Sequence, residues 1–382
     1  MAIETLSKES QTLAPNGIWA EIYLERILHN LQEIREKAGS GVQVMAVVKA
    51  NAYGHGMVPV SKALQGKVDF LGIASLKEAF LLRAEGVTTP LLVFGHVFPE
   101  EIPVALQKKL ILTVSSLEEA TTLSEVSQQF QRKASVHVKV DTGMGRLGIP
   151  YHRAFAEITA MAGLPGLQLE GIYTHFPTAE KFPDEFTQKQ LANFEKLIAD
   201  LEAKKITFAY RHAANSAGAL RIKSSRLNLI RPGLALYGLY PDPSLEPQIT
   251  LQPALYLKTK IVLLKHLLPG DSVGYGREFI ASGPTTIAVL PAGYSHGYPF
   301  QLSGKGEVIY RGKRFRIAGR VCMDAMMIDL GLTTQARVGD EVILIGSHGD
   351  ERIRAEELAA LAQTIPYEIV TRLDPGLPRF YH

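Results

Sequence analysis

Short apolar runs alternate with helical patterns through most of residues 17–240. Eight of the runs are apolar with little alternation, which is typical of strands buried on both faces in a parallel sheet. Helical repeats fill the intervals, for example Leu76–Ala84, Leu117–Gln131, Ala154–Ala162 and Thr187–Lys204. Strands that alternate with helices imply parallel pairing through crossovers, and eight such units predict a (β/α)8 TIM barrel. The predicted strands are Val44–Lys49, Asp69–Ala74, Pro90–Phe94, Leu110–Val114, Val136–Asp141, Leu167–His175, Phe208–Ala213 and Asn228–Arg231.

The pattern changes near Tyr240. Prolines at 241, 243 and 247 mark a linker, and short strand-like runs separated by Gly, Pro and Asp turns follow it. One clear helix is predicted at Ala355–Thr364. We therefore expect a loose N-terminal arm over 1–16, an α/β barrel over 17–240 and a mostly-β C-terminal domain over 241–382. The strand-like runs of this last segment are Ala254–Leu264, Thr286–Leu290, Gly306–Tyr310, Arg314–Ala318, Met326–Asp329 and Glu341–Ile345.

Composition narrows the class of protein. The 382 residues carry 41 basic and 38 acidic side chains, a formal net charge of +3. This near balance argues against a surface for nucleic acid or for a membrane. The one cysteine, Cys322, excludes an intramolecular disulfide and fits a reducing compartment. The N-terminus has no apolar signal core, and no apolar run reaches the roughly 18 residues of a spanning helix. We expect a cytoplasmic protein.

The stretch from Val44 to Gly56 carries the first candidate for chemistry. Its apolar run ends in Lys49, whose ammonium group cannot easily stay charged inside a sheet. A lysine at the end of such a strand faces a cavity, where a lowered pKa makes its amine a nucleophile toward a carbonyl. The structural alternative is an ordinary lysine with its ammonium group in solvent.

Other polar residues lie where predicted strands end. In a (β/α)8 barrel the active site lies at the carboxyl ends of the strands, so this distribution favours a barrel. An open doubly wound sheet is the alternative, and it binds its ligand at one switch point. Each residue also has a simpler explanation, such as a core histidine or an asparagine that caps a helix. The residues are Lys49, Lys139, His175, Asn215, Ser216 and Arg231.

Nine motifs, in order along the chain, resemble the alanine racemase family. The likeness extends from Trp19 to Arg379 and crosses both predicted domains. The motifs are Val-Lys-Ala-Asn-Ala-Tyr-Gly-His-Gly, Val-Asp-Thr-Gly-Met-Gly-Arg-Leu-Gly, Thr-His-Phe, Ala-Asn-Ser-Ala, Arg-Pro-Gly-Leu-Ala-Leu-Tyr-Gly, Gly-Tyr-Gly-Arg, Gly-Tyr-Ser-His-Gly-Tyr, Val-Cys-Met-Asp and Pro-Tyr-Glu-Ile-Val-Thr-Arg.

The resemblance implies an isomerase that interconverts L-alanine and D-alanine with pyridoxal 5′-phosphate (PLP) and supplies D-alanine for peptidoglycan. It also implies a homodimer with shared active sites, and no metal. Lys49 would hold PLP as a Schiff base. Arg231 would face the pyridine nitrogen, and His175 would hydrogen-bond Arg231. The residues that the resemblance assigns to the rest of the cofactor are Tyr53, Asn215, Ser216, Gly233, Leu234 and Tyr367.

The resemblance assigns two bases to racemisation, one for each face of the substrate. Lys49 would serve one face, and Tyr275 of the partner subunit the other. Arg146 and the backbone amide of Met323 would bind the substrate carboxylate. Lys139, which corresponds to a lysine carbamylated in some family members, would support Arg146. Further supporting residues are Tyr294, Cys322 and Asp324.

Two other functions stay open from sequence. One is another PLP enzyme on this architecture, a decarboxylase of basic amino acids or a broad-specificity racemase. The decarboxylases are not expected to carry the Arg231-Pro-Gly or Gly274-Tyr-Gly-Arg elements, and the broad racemases are typically exported. The other is a non-catalytic PLP-binding module, which would lack the second domain.

Overall fold

The computed structural model describes residues 17–332 and 334–382, so the predicted arm over 1–16 lies outside the described residues. The chain divides into two compact units. One comprises the described residues up to Arg26, Tyr53–Gly56 and Pro253–His382; the other comprises Ile27–Ala52 and Met57–Gln252. Within the described part of the chain, no helix is both long and apolar enough to cross a membrane.

The first ten strands and eight helices precede residue 240. The helices are α1 (Leu24–Ala38), α2 (Met57–Leu64), α3 (Leu76–Ala84), α4 (Ile102–Gln107), α5 (Leu117–Gln129), α6 (Tyr151–Met161), α7 (Glu185–Ala203) and α8 (Ser216–Arg221). The strands are β1 (Ile18–Ile22), β2 (Gln43–Val47), β3 (Phe70–Ile73), β4 (Leu91–Val93), β5 (Ile111–Val114), β6 (Ala134–Asp141), β7 (Ile149–Pro150), β8 (Leu167–Tyr173), β9 (Tyr210–His212) and β10 (Leu229–Ile230).

Eight of these strands form a nearly closed parallel barrel, which confirms the predicted fold. They pair side by side in the order β10-β2-β3-β4-β5-β6-β8-β9. The last gap, between β9 and β10, is bridged near its ends, where Arg231 N donates to Ala214 O at 3.0 Å and Asn228 N to Arg211 O at 3.4 Å. Strands β3, β4 and β5 are buried along their whole length, as the unbroken apolar runs predicted.

Polar caps start the helices that follow the strands. Ser75 Oγ accepts from Glu78 N at the start of α3, and Ser116 Oγ from Glu119 N at the start of α5. Asp184 Oδ1 does the same for Thr187 N at the start of α7. A side-chain oxygen here satisfies an amide that the helix leaves unpaired, which fixes where each helix begins. These starts place the strand-to-helix loops, and therefore the candidate site, at one end of the barrel.

The other unit is mostly β, again as predicted. Its elements are β11 (Leu255–Lys260), β12 (Leu263–Leu267), β13 (Ser272–Val273), β14 (Phe279–Ile280), β15 (Thr285–Leu290), β16 (Glu307–Tyr310), β17 (Lys313–Arg316), β18 (Met326–Asp329), β19 (Glu341–His348), β20 (Glu351–Ile353), α9 (Ala355–Ala362), α10 (Pro366–Thr371) and β21 (Arg379–Tyr381). The longest sheet of this unit has the order β17-β16-β19-β11-β1-β21, in which β1 pairs antiparallel with β11 and parallel with β21. The predicted run Ala254–Leu264 is two strands, β11 and β12, which pair with different neighbours. Helix α10 follows the predicted helix α9.

Candidate active site

Lys49 follows strand β2 and opens a left-handed turn. Ala50, Asn51, Ala52 and Tyr53 have φ angles of 53°, 53°, 52° and 54°. Such a conformation costs L-residues roughly 1–2 kcal/mol each, so it persists only where surrounding contacts hold it. Here the turn ends the strand two residues before the predicted end, and it sets the direction in which Lys49 leaves the barrel.

Hydrogen bonds hold this turn. Ala50 N donates to Glu78 Oε1 at 2.8 Å, and Ala52 N donates to Val48 O at 2.8 Å. Asn51 Oδ1 accepts from Met57 N at 2.9 Å. Because each amide of the turn would otherwise face the barrel end unpaired, these bonds offset the cost of the left-handed backbone.

The amine of Lys49 is prepared to react as a base or nucleophile. Burial lowers the pKa of Lys49, the nearby charge of Arg146 lowers it further, and Glu78 acts in the opposite direction. A lowered pKa raises the fraction of neutral amine at neutral pH, and the neutral amine is the reactive form.

Lys139 lies on β6 beside the same cations. Burial lowers the pKa of Lys139 to about 8, and the charges of Arg146 and Arg231 add to this effect. Its ammonium lies 5.5 Å from the ring centroid of Tyr173. Four basic groups, Lys49, Lys139, Arg146 and Arg231, therefore lie close enough at this end of the barrel to perturb one another, which favours the binding of anions there.

Arg146 is carried by a loop that Asp141 holds at the end of β6. Asp141 Oδ1 accepts from the amides of Gly143 at 2.9 Å, Met144 at 2.8 Å and Gly145 at 3.1 Å. The Arg146 side chain is exposed and makes no hydrogen bond or ion pair with any residue that the structure describes. Its guanidinium is free to bind a carboxylate bidentately.

Arg231 lies fully inside the barrel, at the end of β10. Its Nη2 donates to Thr174 O at 2.7 Å and Ala213 O at 2.9 Å, and lies 3.3 Å from His175 Nδ1. Burial lowers the pKa of Arg231 to about 10, so it stays protonated at neutral pH. No bond to another described residue uses its Nε–H or the second N–H of Nη1, so donors remain for a ligand.

Two further histidines complete the surroundings of Arg231, and the sequence reading missed both. His212 Nδ1 lies 2.9 Å from Arg231 Nη1, and His212 Nε2 lies 2.8 Å from His137 Nδ1. Burial and the charge of Arg231 lower the pKa of His137 to about 3 and hold that of His212 well below its usual range. Both rings are therefore neutral at physiological pH. His212 lies two residues before the Ala-Asn-Ser-Ala motif, and nothing in its spacing pointed to Arg231.

Loops after β9 and β10 are tied together by Ser216. Its Oγ accepts from Gly233 N at 2.9 Å and from Ala235 N at 3.3 Å. Asn215 caps α8, since its Oδ1 accepts from Gly218 N at 2.9 Å, and this is the structural alternative considered above. The structure thus brings Ser216 beside the amides of the Gly233–Leu234 segment, at the position where barrels commonly bind phosphate.

The remaining candidates lie in the β-rich unit. Tyr275 and Met323 are 72% and 55% exposed in the single chain. Tyr294 N donates to Cys322 O at 3.1 Å, and Ser295 Oγ donates to Asp324 Oδ1 at 2.6 Å, so these segments form one cluster. In the same unit the rings of Tyr53 and Tyr367 lie 5.9 Å apart. Tyr275 and Met323, unlike Tyr53, therefore face solvent in the single chain.

Gly293 makes this cluster possible. A Cβ at position 293 would lie 2.3 Å from the carbonyl oxygens of Cys322 and Met323. Since those are backbone atoms, only glycine allows the two segments to approach this closely. No group of three or more His, Cys, Asp or Glu side chains that could hold a metal occurs within 17–332 and 334–382.

Models of two alanine racemase domains match the chain, the N-terminal domain over residues 22–241 and the C-terminal domain over residues 254–381. The chain belongs to the alanine racemase family. The alanine racemase of Desulforamulus reducens is 44% identical over 367 residues, which cover 95% of this chain and 98% of that protein. The alanine racemase of Methanococcus maripaludis is 40% identical, covering 97% of this chain and 100% of that protein.

Solved alanine racemases share the fold. The enzyme of Clostridium difficile 630 superposes with a TM-score of 0.92 at 35% identity, covering 97% of each chain. The alanine racemase of Bacillus anthracis, determined with L-Ala-P bound, gives a TM-score of 0.89 at 37% identity, covering 97% of this chain and 96% of that one. These matches cover both units of the chain, so both units belong to the alanine racemase family.

Proposed function

We propose that the protein interconverts L-alanine and D-alanine with PLP held on Lys49. The observation that carries this is the cationic end of the barrel. There a lysine of lowered pKa lies near a buried arginine whose Nε–H makes no bond with another described residue. In the alanine racemase family these residue types bind an anionic cofactor and an amino acid. Family likeness also supports a cytoplasmic role in supplying D-alanine for peptidoglycan.

The residues present fit PLP. Ser216 and the amides of Gly233 and Leu234 would bind its phosphate, and the hydroxyls of Tyr53 and Tyr367 would add to them by family likeness. Asn215 would support this segment from its capping position. When bound, PLP supplies an electron sink for the electrons left at the substrate Cα when its proton is removed.

Arg231 would hold the pyridine nitrogen with its Nε–H. A guanidinium donates hydrogen bonds and does not give up its proton at neutral pH, so the ring nitrogen stays unprotonated. His175, whose pKa burial and Arg231 hold well below its usual range, stays neutral and helps to fix the guanidinium. A less electron-deficient ring favours rapid return of the proton to Cα over side reactions.

Two bases would act on opposite faces of the substrate. Lys49 Nζ would take or return the Cα proton on one face, by family likeness the D-side. Tyr275 Oη of the partner subunit would do so on the L-side, in a homodimer that also brings Tyr294 and Met323 to the site. Arg146 and the amide of Met323 would hold the carboxylate, so that the Cα–H bond points at a base.

Lys139 would orient Arg146. Its pKa of about 8 leaves a fraction of neutral amine at neutral pH. A neutral amine is the form that reacts with carbon dioxide, and the resulting carbamate would place a negative charge near Arg146. Cys322 and Asp324 would support the Met323 segment.

The function is tested by comparing substrates. We expect racemisation of L-alanine to exceed that of serine by about 10-fold or more, since by family likeness Tyr275, Tyr367 and Met323 would leave little space around the side chain. Lysine and arginine should not react measurably. Chiral chromatography of each amino acid after incubation gives the rates. Comparable efficiency on lysine would instead indicate a broad-specificity racemase.

Arg231→Glu should slow racemisation and raise transamination. A carboxylate at this position would stabilise a protonated ring nitrogen, which strengthens the electron sink and prolongs the carbanionic state. The loss in racemisation should reach roughly 100-fold, the scale for a misplaced cofactor contact. Pyruvate formation and D-alanine formation are measured together. Arg231→Lys, which keeps the charge, is the matched control and should not raise pyruvate; equal product ratios in all three proteins would contradict the role of Arg231.

A further inference from the structure

Arg231, His212 and His137 form one chain of hydrogen bonds through the barrel interior. Arg231 Nη1 lies 2.9 Å from His212 Nδ1, and His212 Nε2 lies 2.8 Å from His137 Nδ1. Both histidines are fully buried. The ring of His212 also stacks on Tyr173, with centroids 4.7 Å apart and the planes 6° from parallel. These hydrogen bonds therefore connect the candidate active-site end of the barrel to its core.

Because an arginine side chain can only donate, it determines which nitrogen of each histidine carries the proton in this series of hydrogen bonds. A guanidinium has only donors, so His212 Nδ1 must accept. A neutral imidazole carries its proton on the other nitrogen, so His212 Nε2–H donates to His137 Nδ1. His137 then carries its own proton on Nε2. The reverse tautomer of His212 would set an N–H against an N–H of Arg231.

The last donor in this series of hydrogen bonds, His137 Nε2–H, has no partner among the described residues. His137 Nε2 is buried and makes no hydrogen bond with any residue that the structure describes. An unsatisfied buried donor loses its hydrogen bond to water and gains none in return, which is unfavourable. A phenylalanine would fill a similar volume without that cost. The unfavourable burial of His137 Nε2–H is therefore offset by His137 Nδ1, which accepts a hydrogen bond from His212.

The barrel makes room for this ring. A Cβ at Gly171 on β8 would lie 2.6–2.7 Å from three atoms of the His137 ring. Phe70 and Tyr210 pack against the same ring, with centroids 5.9 and 5.8 Å away. Any side chain at position 171 would displace His137 from His212, so the glycine and the aromatic neighbours fix where the acceptor lies.

We propose that His137 is a positioning residue: its Nδ1 accepts from His212 Nε2–H, which holds the His212 ring in place and, through that ring, the orientation of the Arg231 guanidinium. This rests on the proposed function in one respect, that Arg231 faces PLP. The tautomer of His212 is a property of the apoprotein and does not depend on the cofactor.

The apoprotein gives the first test. Nitrogen-15 histidine spectra, with the His212 signals assigned by their loss in His212→Gln, report which ring nitrogen carries the proton. We expect wild-type His212 to be protonated on Nε2 alone and not to titrate between about pH 5 and 8. A proton on Nδ1, or a positively charged ring, in the wild-type protein would overturn the proposal without any variant at position 137.

Variants at position 137 give the second test. His137→Phe keeps a ring but removes the acceptor, and His137→Asn places a side-chain oxygen close to where Nδ1 lies. In the phenylalanine variant we expect the Nε2–H proton signal of His212 to move upfield, because that N–H loses its acceptor, and in the holoenzyme we expect a pyruvate-to-D-alanine ratio raised up to about tenfold, the scale of one hydrogen bond. The asparagine variant should restore both readouts toward wild type.

Thermal unfolding separates this effect from a loss of stability. A folded His137→Phe protein with an unchanged His212 Nε2–H signal and an unchanged product ratio would overturn the proposal. If the phenylalanine variant does not fold, the wild-type and asparagine spectra still decide it. If the protein fails to racemise alanine at all, the product ratio has no meaning, but the apoprotein spectra stand, so failure of the proposed function is distinguishable from failure of this inference.

Discussion

Lys49→Ala should abolish racemisation, with a loss of at least about 10⁴-fold, the upper end of what one positioned base contributes. The variant loses both the amine that holds PLP and the base on one face of the substrate. Borohydride reduction of the wild-type holoenzyme should fix a pyridoxyl group on the peptide that contains Lys49, and the variant should yield no labelled peptide. Chiral assay of D-alanine gives the rate.

Lys108→Ala is the matched control for this experiment. Lys108 is an exposed lysine in the same unit, beyond the end of α4. Its loss should leave both the label and the rate unchanged. A pyridoxyl group on any lysine other than Lys49, or substantial racemisation by Lys49→Ala, would contradict the assignment.

Mixed dimers of Lys49→Ala and Tyr275→Phe should recover activity that neither variant has alone. Each homodimer lacks one of the two bases at both sites. If Tyr275 acts in the partner's site, a mixed dimer gathers both lesions in one site and leaves the other intact. After the two variants are unfolded and refolded together in equal amounts, half of the dimers are mixed, so about a quarter of all sites should be wild type.

The double variant supplies a reciprocal control. Lys49→Ala with Tyr275→Phe in one chain, refolded with wild-type chains, should leave about a quarter of the sites active if sites are shared and about half if each chain acts alone. Mass measurement confirms that mixed dimers form. Absence of recovered activity in the first mixture, with half of the sites active in the second, would place both bases in one chain.

The barrel could be predicted because its signal is local and repeated. Helix α3 spans Leu76–Ala84, as its apolar spacing predicted, and Ser75 supplies the cap. Strand β10 is harder to find, since only Leu229 and Ile230 pair as a strand. The sheet partner of β1 could not be read from its sequence. Its pairing with β11 and β21 joins segments more than 200 residues apart, and no periodicity encodes that choice.

Only part of the candidate site could be read from the sequence, for a related physical reason. Motifs marked Lys49 and Arg231 because each ends an apolar run, but they did not mark His137 and His212. These two histidines are 75 residues apart in sequence, and a buried histidine inside a strand looks like any core residue until its neighbours are known. The left-handed turn after Lys49 was also hidden. Its residues are Ala, Asn and Tyr, and glycine would have been the usual signal.

The most direct test of the central claim is to incubate the holoenzyme with L-alanine in deuterium oxide and to separate the enantiomers for mass analysis. The account predicts that D-alanine accumulates until the two enantiomers are nearly equal. The D-alanine formed should carry deuterium at Cα, because a base whose proton has exchanged with the solvent delivers a deuteron to Cα. The same experiment with Lys49→Ala should leave the L-alanine unlabelled. L-alanine that stays unlabelled and unconverted in the wild-type, PLP-loaded protein would contradict the account.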